Sequence, residues 1–169
     1  MLLRDHNGRL EVLMLRRNRQ LKSFGGAWVF PGGRVDDVDA PGKDETERAK
    51  TAAIRETMEE TGLDIQGGDM ATLSCWIPPA QEKRRFSTWF FVVRAPDMAV
   101  KIDQGEIHDY RWVCPRELVA QIPSPEIMIV PPTFVSLKTL TAFSNVDAVM
   151  AHIYAAQTDI FETRFIKKP

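Results

Sequence analysis

Three glutamates within five residues, Glu56, Glu59 and Glu60, are the part of this sequence best suited to chemistry. They lie in the run Arg55-Glu56-Thr57-Met58-Glu59-Glu60-Thr61-Gly62-Leu63, with alanines before it and a helix-stopping glycine near its end. At about 100° per residue, a helix places all three carboxylates on one narrow face. Like charges that close repel, and such a face gains little without Lys or Arg partners. A divalent cation reverses that sign. Carboxylate oxygens are hard ligands that suit Mg²⁺ or Mn²⁺ better than zinc. A solvated acidic helix end is the plain alternative. The stretch upstream argues against it: Trp28-Val29-Phe30-Pro31-Gly32-Gly33 reads as a strand running into a sharp turn. Paired glycines let the backbone approach a ligand closely. A strand, a glycine loop and an acidic helix, in that order, make a metal–pyrophosphate site.

At these residues the chain resembles the Nudix hydrolases. Their signature is a glycine, five residues, Glu, seven residues, then Arg-Glu-aliphatic-any-Glu-Glu-any-Gly-aliphatic. Arg55 to Leu63 matches the second half, with Thr57 in the aliphatic place, and Glu47 stands at the right distance before Arg55. The glycine departs from the pattern, because the expected position is Pro41, beside Gly42. Taking Gly33 as the counterpart, on its Phe-Pro-Gly-Gly context, implies an acidic insertion of eight residues after it, within Arg34 to Asp44.

The resemblance spans roughly residues 2 to 120. It implies an α/β/α sandwich with a mixed sheet, and a metal set of Glu56, Glu59 and Glu60 with the Gly33 carbonyl. Arg55 lies one turn before Glu59, so an i,i+4 pair would hold that carboxylate. It joins the three glutamates as a catalytic candidate. Glu106, in the loop Asp103-Gln104-Gly105-Glu106 before a tryptophan-bearing strand, is a candidate general base or further ligand. An exposed loop glutamate is the alternative, and His108 and Asp109 are near rivals.

The insertion, the Ala52-Ala53-Ile54-Arg55-Glu56-Thr57 run, the segment Arg84-Arg85-Phe86-Ser87-Thr88-Trp89-Phe90 and the proline-marked tail resemble the branch that contains the mammalian peroxisomal coenzyme A diphosphatase. That likeness implies hydrolysis of the diphosphate bond in CoA or acyl-CoA. The branch's further motif upstream of the glycine turn is only partial: Gly26 fits, but Lys22 replaces an Arg. ADP-ribose or another nucleotide-sugar diphosphate is the second substrate reading. A non-catalytic nucleotide-binding regulatory domain is the reading from another class.

Candidate substrate contacts follow. Arg16, Arg17, Arg19 and Lys22 form a basic loop leading to the glycine turn, and Arg84 and Arg85 precede a strand. Arg suits bidentate phosphate recognition; solvated charge is the alternative for each. Trp28, Trp76, Phe86 and Trp89 are candidate base-stacking residues, though aromatic residues at such positions more often fill a core. His6 and His152 read as structural or solvated.

Composition bounds the rest. A chain of 169 residues reads as one domain, 1–169, with a core to about residue 120 and a helical extension over about 123–169. The formal net charge of −1 gives no electrostatic case for a nucleic-acid polymer. Cys75 and Cys114 lack metal-like spacing and read as reduced thiols. No apolar run predicts a signal peptide or a membrane span, so the expected place is the cytoplasm and the expected partner a small nucleotide-derived substrate. The sequence carries no signal for an oligomer, and a homodimer is left open.

The elements that must position these residues read as follows. Strands are expected at Met1–Leu3, Leu10–Leu15, Trp28–Phe30, Thr72–Ile77, Ser87–Val93 and Tyr110–Val113. The acidic helix begins between Asp44 and Arg48, with Asp44 and Glu47 as a capping box and Gly62 as C-cap. Pro115 opens a short helix, and two more cover Thr133–Phe143 and Val146–Ala156. Thr158–Phe165 is a final strand or an ordered tail.

Overall fold

The computed structural model describes residues 1–80, 87–122, 124 and 126–164; Arg84, Arg85 and Phe86 lie outside them. In chain order the elements are β1 (Leu2–His6), β2 (Arg9–Arg17), β3 (Trp28–Val29), α1 (Glu45–Thr61), β4 (Ala71–Ile77), β5 (Thr88–Arg94), β6 (Ile107–Val113), α2 (Pro115–Gln121), α3 (Pro131–Leu140), α4 (Val146–Ala155) and β7 (Asp159–Glu162). The open question at the C-terminal end resolves as a strand, since β7 pairs in parallel with β4.

β2 organises the sheet. Asn7 and Gly8 both adopt positive φ, 50° and 72°, the geometry of a tight two-residue hairpin turn, and they fold β1 back antiparallel onto β2. β3 and β6 also pair antiparallel with β2, and β1 runs parallel to β5. The seven strands form a mixed sheet in the order β3-β2-β1-β5-β4-β7, with β6 on β2.

Val12, Leu13, Met14 and Leu15 are all fully buried in succession. A strand alternates its side chains, so an unbroken apolar run means that both faces are covered. Val12 and Met14 join Leu118, Leu137, Leu140, Val146 and Val149 in one core, under α2, α3 and α4. Leu13 and Leu15 join Leu63, Ile65 and Ile107 in a second core, with Ile54 of α1 packed against it. This is the α/β/α sandwich with a mixed sheet expected from the sequence, and the C-terminal helices supply one of its layers. No helix among the described residues is long and apolar enough to cross a membrane.

The ends of α1 follow local rules. The Asp44 side chain accepts a hydrogen bond from the Glu47 N–H at 2.9 Å. The reciprocal half of a capping box is replaced, because Glu47 accepts from Lys50 Nζ. Gly62, at φ 67°, closes the helix by donating its N–H to the Met58 carbonyl. That left-handed conformation is open to glycine at little cost. Asp44→Ala is expected to cost about 1 kcal/mol of stability without moving the helix, read as a lowered urea midpoint with an unchanged m-value.

Candidate active site

α1 presents its acidic face to the loop that follows β3. The close approach is severe at Gly33, where an added Cβ would lie 2.3 Å from Glu56 Cδ. Gly32, at φ 144°, donates its N–H to Glu60 Oε2 at 2.8 Å. The missing Cβ at Gly33 and the positive φ open to Gly32 let the loop sit this near two carboxylates. At Gly42, by contrast, an added Cβ would meet nothing within 4 Å. Geometry therefore selects Gly33 as the motif glycine, and the insertion follows it.

The insertion is stitched to α1 by two arginines. Arg48 donates to the carbonyls of Asp39 and Asp36. Arg55 grips the Asp39 carboxylate in bidentate fashion, through Nε at 3.0 Å and a terminal nitrogen at 2.9 Å. It also donates to the Arg34 carbonyl, to Glu56 at 3.0 Å and to Glu59 at 3.3 Å. These contacts use all five guanidinium N–H groups. Arg55 thus has no donor left for a substrate: it positions Glu56 and Glu59 rather than touching the reacting atoms. The expected i,i+4 pair to Glu59 is present but is the longest of its hydrogen bonds. Asp39, 1% exposed, was not singled out by the sequence. The Arg55 guanidinium beside it holds its carboxyl below the usual range. The same partner pushes Arg55 further up.

Glu60 is buried at 5% exposure, and burial pushes its pKa up to about 7. The Gly32 N–H opposes that shift, and the nearby charge of Glu56 adds to it. Glu56 is raised too, first by desolvation, with Arg55 working the other way. Glu106 contributes to both shifts, which brings this distant loop residue to the acidic face. Its loop is shaped by Asp103, whose carboxylate accepts from the backbone N–H groups of Gly105, Glu106 and Ile107. Asn18 ties the loop to the end of β2, and Arg17 faces Glu106 at 3.6 Å. The pairing of β2 with β6 shifts register between Arg16 and Arg17, a bulge that passes over His108.

The donor set fits a hard divalent cation: all oxygen, with two carboxylates whose pKa values are raised chiefly by burial, and with the charge of Glu56 adding to the shift at Glu60. As they stand, no three acidic side chains among the described residues converge enough to share an ion. Glu59 is turned to Arg55, Glu56 is shared between Arg55 and the Gly33 loop, and Glu60 is bonded to Gly32.

A NUDIX domain model matches residues 1–130. The chain belongs to the Nudix family. Divalent cation use is general among Nudix hydrolases. A Caenorhabditis elegans relative provisionally named nudix hydrolase 7 is 29% identical over an alignment 172 residues long, gaps included, that covers 80% of this chain and 57% of that protein. The Caenorhabditis elegans peroxisomal coenzyme A diphosphatase is 38% identical over 60 residues, 36% of this chain and 23% of that one. This chain therefore spans little more than half of the first relative and less of the second. Among solved structures, the Nudix hydrolase from Alicyclobacillus acidocaldarius superposes with a TM-score of 0.77 at 23% identity, covering 89% of this chain and 92% of that one.

The other sequence candidates in this Nudix chain are dispersed. Arg16, Arg19 and Trp28 line a cavity on the other face of the sheet. Trp28 is 5% exposed, with Arg16 and Arg111 over its ring, so it offers no open stacking face. Trp76 stacks on Phe161 and Trp89 on Phe91. Trp89 also donates to Glu45. Lys22 is exposed.

Two outcomes follow. Gly33→Ala should cost at least about a hundredfold in turnover, because its Cβ displaces Glu56, whereas Gly42→Ala, strained only by its φ of 81°, should lower stability and leave turnover within a few-fold. The second concerns pH. A carboxylate whose folded pKa is raised binds its proton more tightly in the folded state. In EDTA, Glu60 should therefore cost stability as pH rises from the unfolded value of 4.5 through about 7. A saturating divalent cation should remove that loss, so the metal-induced rise in Tm should be larger at pH 8 than at pH 6.

Proposed function

We propose that this protein hydrolyses the diphosphate bond of a nucleoside diphosphate linked to a second group, using Mg²⁺ or Mn²⁺ held by Glu56, Glu59 and Glu60. The single observation that carries this reading is the convergence of the glycine loop on Glu56 and Glu60. Two carboxylates are kept dehydrated and close there, at a cost in stability that a bound cation and its diphosphate ligand would offset.

A bound divalent ion would neutralise diphosphate oxygens and lower the pKa of a coordinated water. The chain's own residues do the rest. Arg55, locked by Asp39, fixes the rotamers of Glu56 and Glu59. Glu106, on a loop held by Asp103 and Asn18, is in place to take a proton from the attacking water or to serve as a further ligand. Arg17 lies between Glu106 and Glu60, and its Nε is buried without a partner among the described residues. Its guanidinium charge there favours an anionic phosphate beside the two glutamates.

CoA or an acyl-CoA is the substrate we favour. Support comes from the local match to a coenzyme A diphosphatase, together with the insertion and the proline-marked tail that resemble its branch. The insertion folds onto α1 and the tail forms the layer opposite, so both are available as walls for a long substrate arm.

Purified protein is expected to cleave CoA with Mg²⁺ or Mn²⁺ and to be silent in EDTA. Glu59→Gln and Glu60→Gln should each reduce turnover at least about a hundredfold while circular dichroism stays native. Undiminished turnover after metal removal, or in either variant, rejects the metal site. Efficient cleavage of ADP-ribose with negligible action on CoA rejects the CoA reading alone. Binding of nucleotides without turnover of any diphosphate points instead to a regulatory domain.

A further inference from the structure

We propose that the cavity on the α2–α4 side of the sheet, walled by Arg16, Arg19 and Arg111 around Trp28, binds an organic phosphomonoester. Three observations place it. Side chains alternate along β2, so Arg17 points to the acidic helix while Arg16 points to the opposite face. There Arg16 lies over Trp28 at 5.8 Å from the ring centroid, and Arg111 of β6 lies over the same ring at 4.9 Å. Arg19 reaches the cavity from the β2–β3 loop, its side chain laid along Gly26, where an added Cβ would come within 3.3 Å of it.

The three guanidinium groups are poorly matched by the protein itself. Arg16 Nε is buried without a hydrogen-bond partner among the described residues. Arg111 has one long ion pair, 3.8 Å to Asp109, and that pair is exposed. Arg19 has no ion pair among the described residues. Glu126 is the only acid among the described lining residues, so the wall keeps an excess of two positive charges. Gathering guanidinium groups without counterions is unfavourable unless an anion is bound between them. A phosphate dianion supplies the matching charge and the acceptor oxygens that planar guanidinium groups bind in pairs.

The cavity measures about 850 Å³, far more than one phosphate fills and within the range of small-molecule sites. Gln121 and Ile127, from the end of α2 and the segment before α3, complete a wall with both polar and apolar character. The ligand is therefore a phosphomonoester on a larger organic group, such as a nucleotide. That group has two possible sources: a second phosphate of the substrate itself, or a separate effector. The binding half of this proposal does not depend on the diphosphatase reading; only the first source does.

Metal-free protein in EDTA is titrated calorimetrically with adenosine 3′-monophosphate and with adenosine. The nucleotide is expected to bind and adenosine not to. Arg111→Ala and Arg19→Ala should each weaken the nucleotide at least about tenfold, the loss expected for a charged hydrogen-bonding partner. Arg94→Ala removes the same charge from a surface pair with Asp5 and Asp147, and should leave binding unchanged. Equal binding of adenosine, an equal loss in Arg94→Ala, or undiminished binding in both cavity variants overturns the site. Turnover then separates the sources. A higher KM in Arg111→Ala for CoA but not for dephospho-CoA, with kcat retained, assigns the phosphate to the substrate. Unchanged KM for both, with nucleotide binding still lost, assigns it to an effector.

Discussion

Everything at the candidate site depends on how closely the Gly32-Gly33 loop approaches α1. That approach takes Glu60 out of water and leaves it one backbone N–H as a partner. A buried carboxylate with a single neutral donor is expensive, and its raised pKa is the measure of that cost. Glu56, pressed against Gly33, shares the expense. The sheet and α1 must be stable enough to carry both, and the two-sided core around β2 provides that support.

The insertion after Gly33 has a structural role in the same arrangement. Its anchor is the bidentate pair between Arg55 and buried Asp39, reinforced by Arg48 on the insertion's carbonyls. An arginine with every donor satisfied is held to one rotamer, and through Arg55 the order of the insertion reaches Glu56 and Glu59. Extra chain length after the glycine is thus absorbed outside the loop-to-helix contact, which keeps its spacing.

β2 divides the basic residues between two environments. Arg16 and Arg17 are neighbours in sequence, yet the pleat sends one to the Trp28 cavity and the other to Glu106 and Glu60. A strand whose two faces are both covered thus sends adjacent arginines into separate surroundings. α2 and the segment after it turn the second face into a cavity, since Ala120, Gln121, Ser124, Glu126 and Ile127 wall it beside Trp28.

The sequence by itself determined what periodicity and local chemistry determine. The shared face of Glu56, Glu59 and Glu60, the Asp44 and Gly62 caps and the strand runs all depend on neighbours a few residues apart. The α/β/α class and the Nudix family rested on the Arg55–Leu63 motif and its spacing. Tertiary structure decided what depends on distant partners. Asp39 looked like one acid among several in a polar insertion, and only its burial against Arg55 distinguishes it. Trp28 was a candidate stacking platform that read more readily as core, and packing under two arginines settled its exposure. The choice between Gly33 and Gly42 turned on a 2.3 Å approach that no spacing rule encodes. Arg111, an unremarked strand residue, entered a cavity because β6 pairs with β2, a contact between segments about a hundred residues apart. Local rules fix which way a side chain leaves its own element; what it then meets is fixed only when the elements pack.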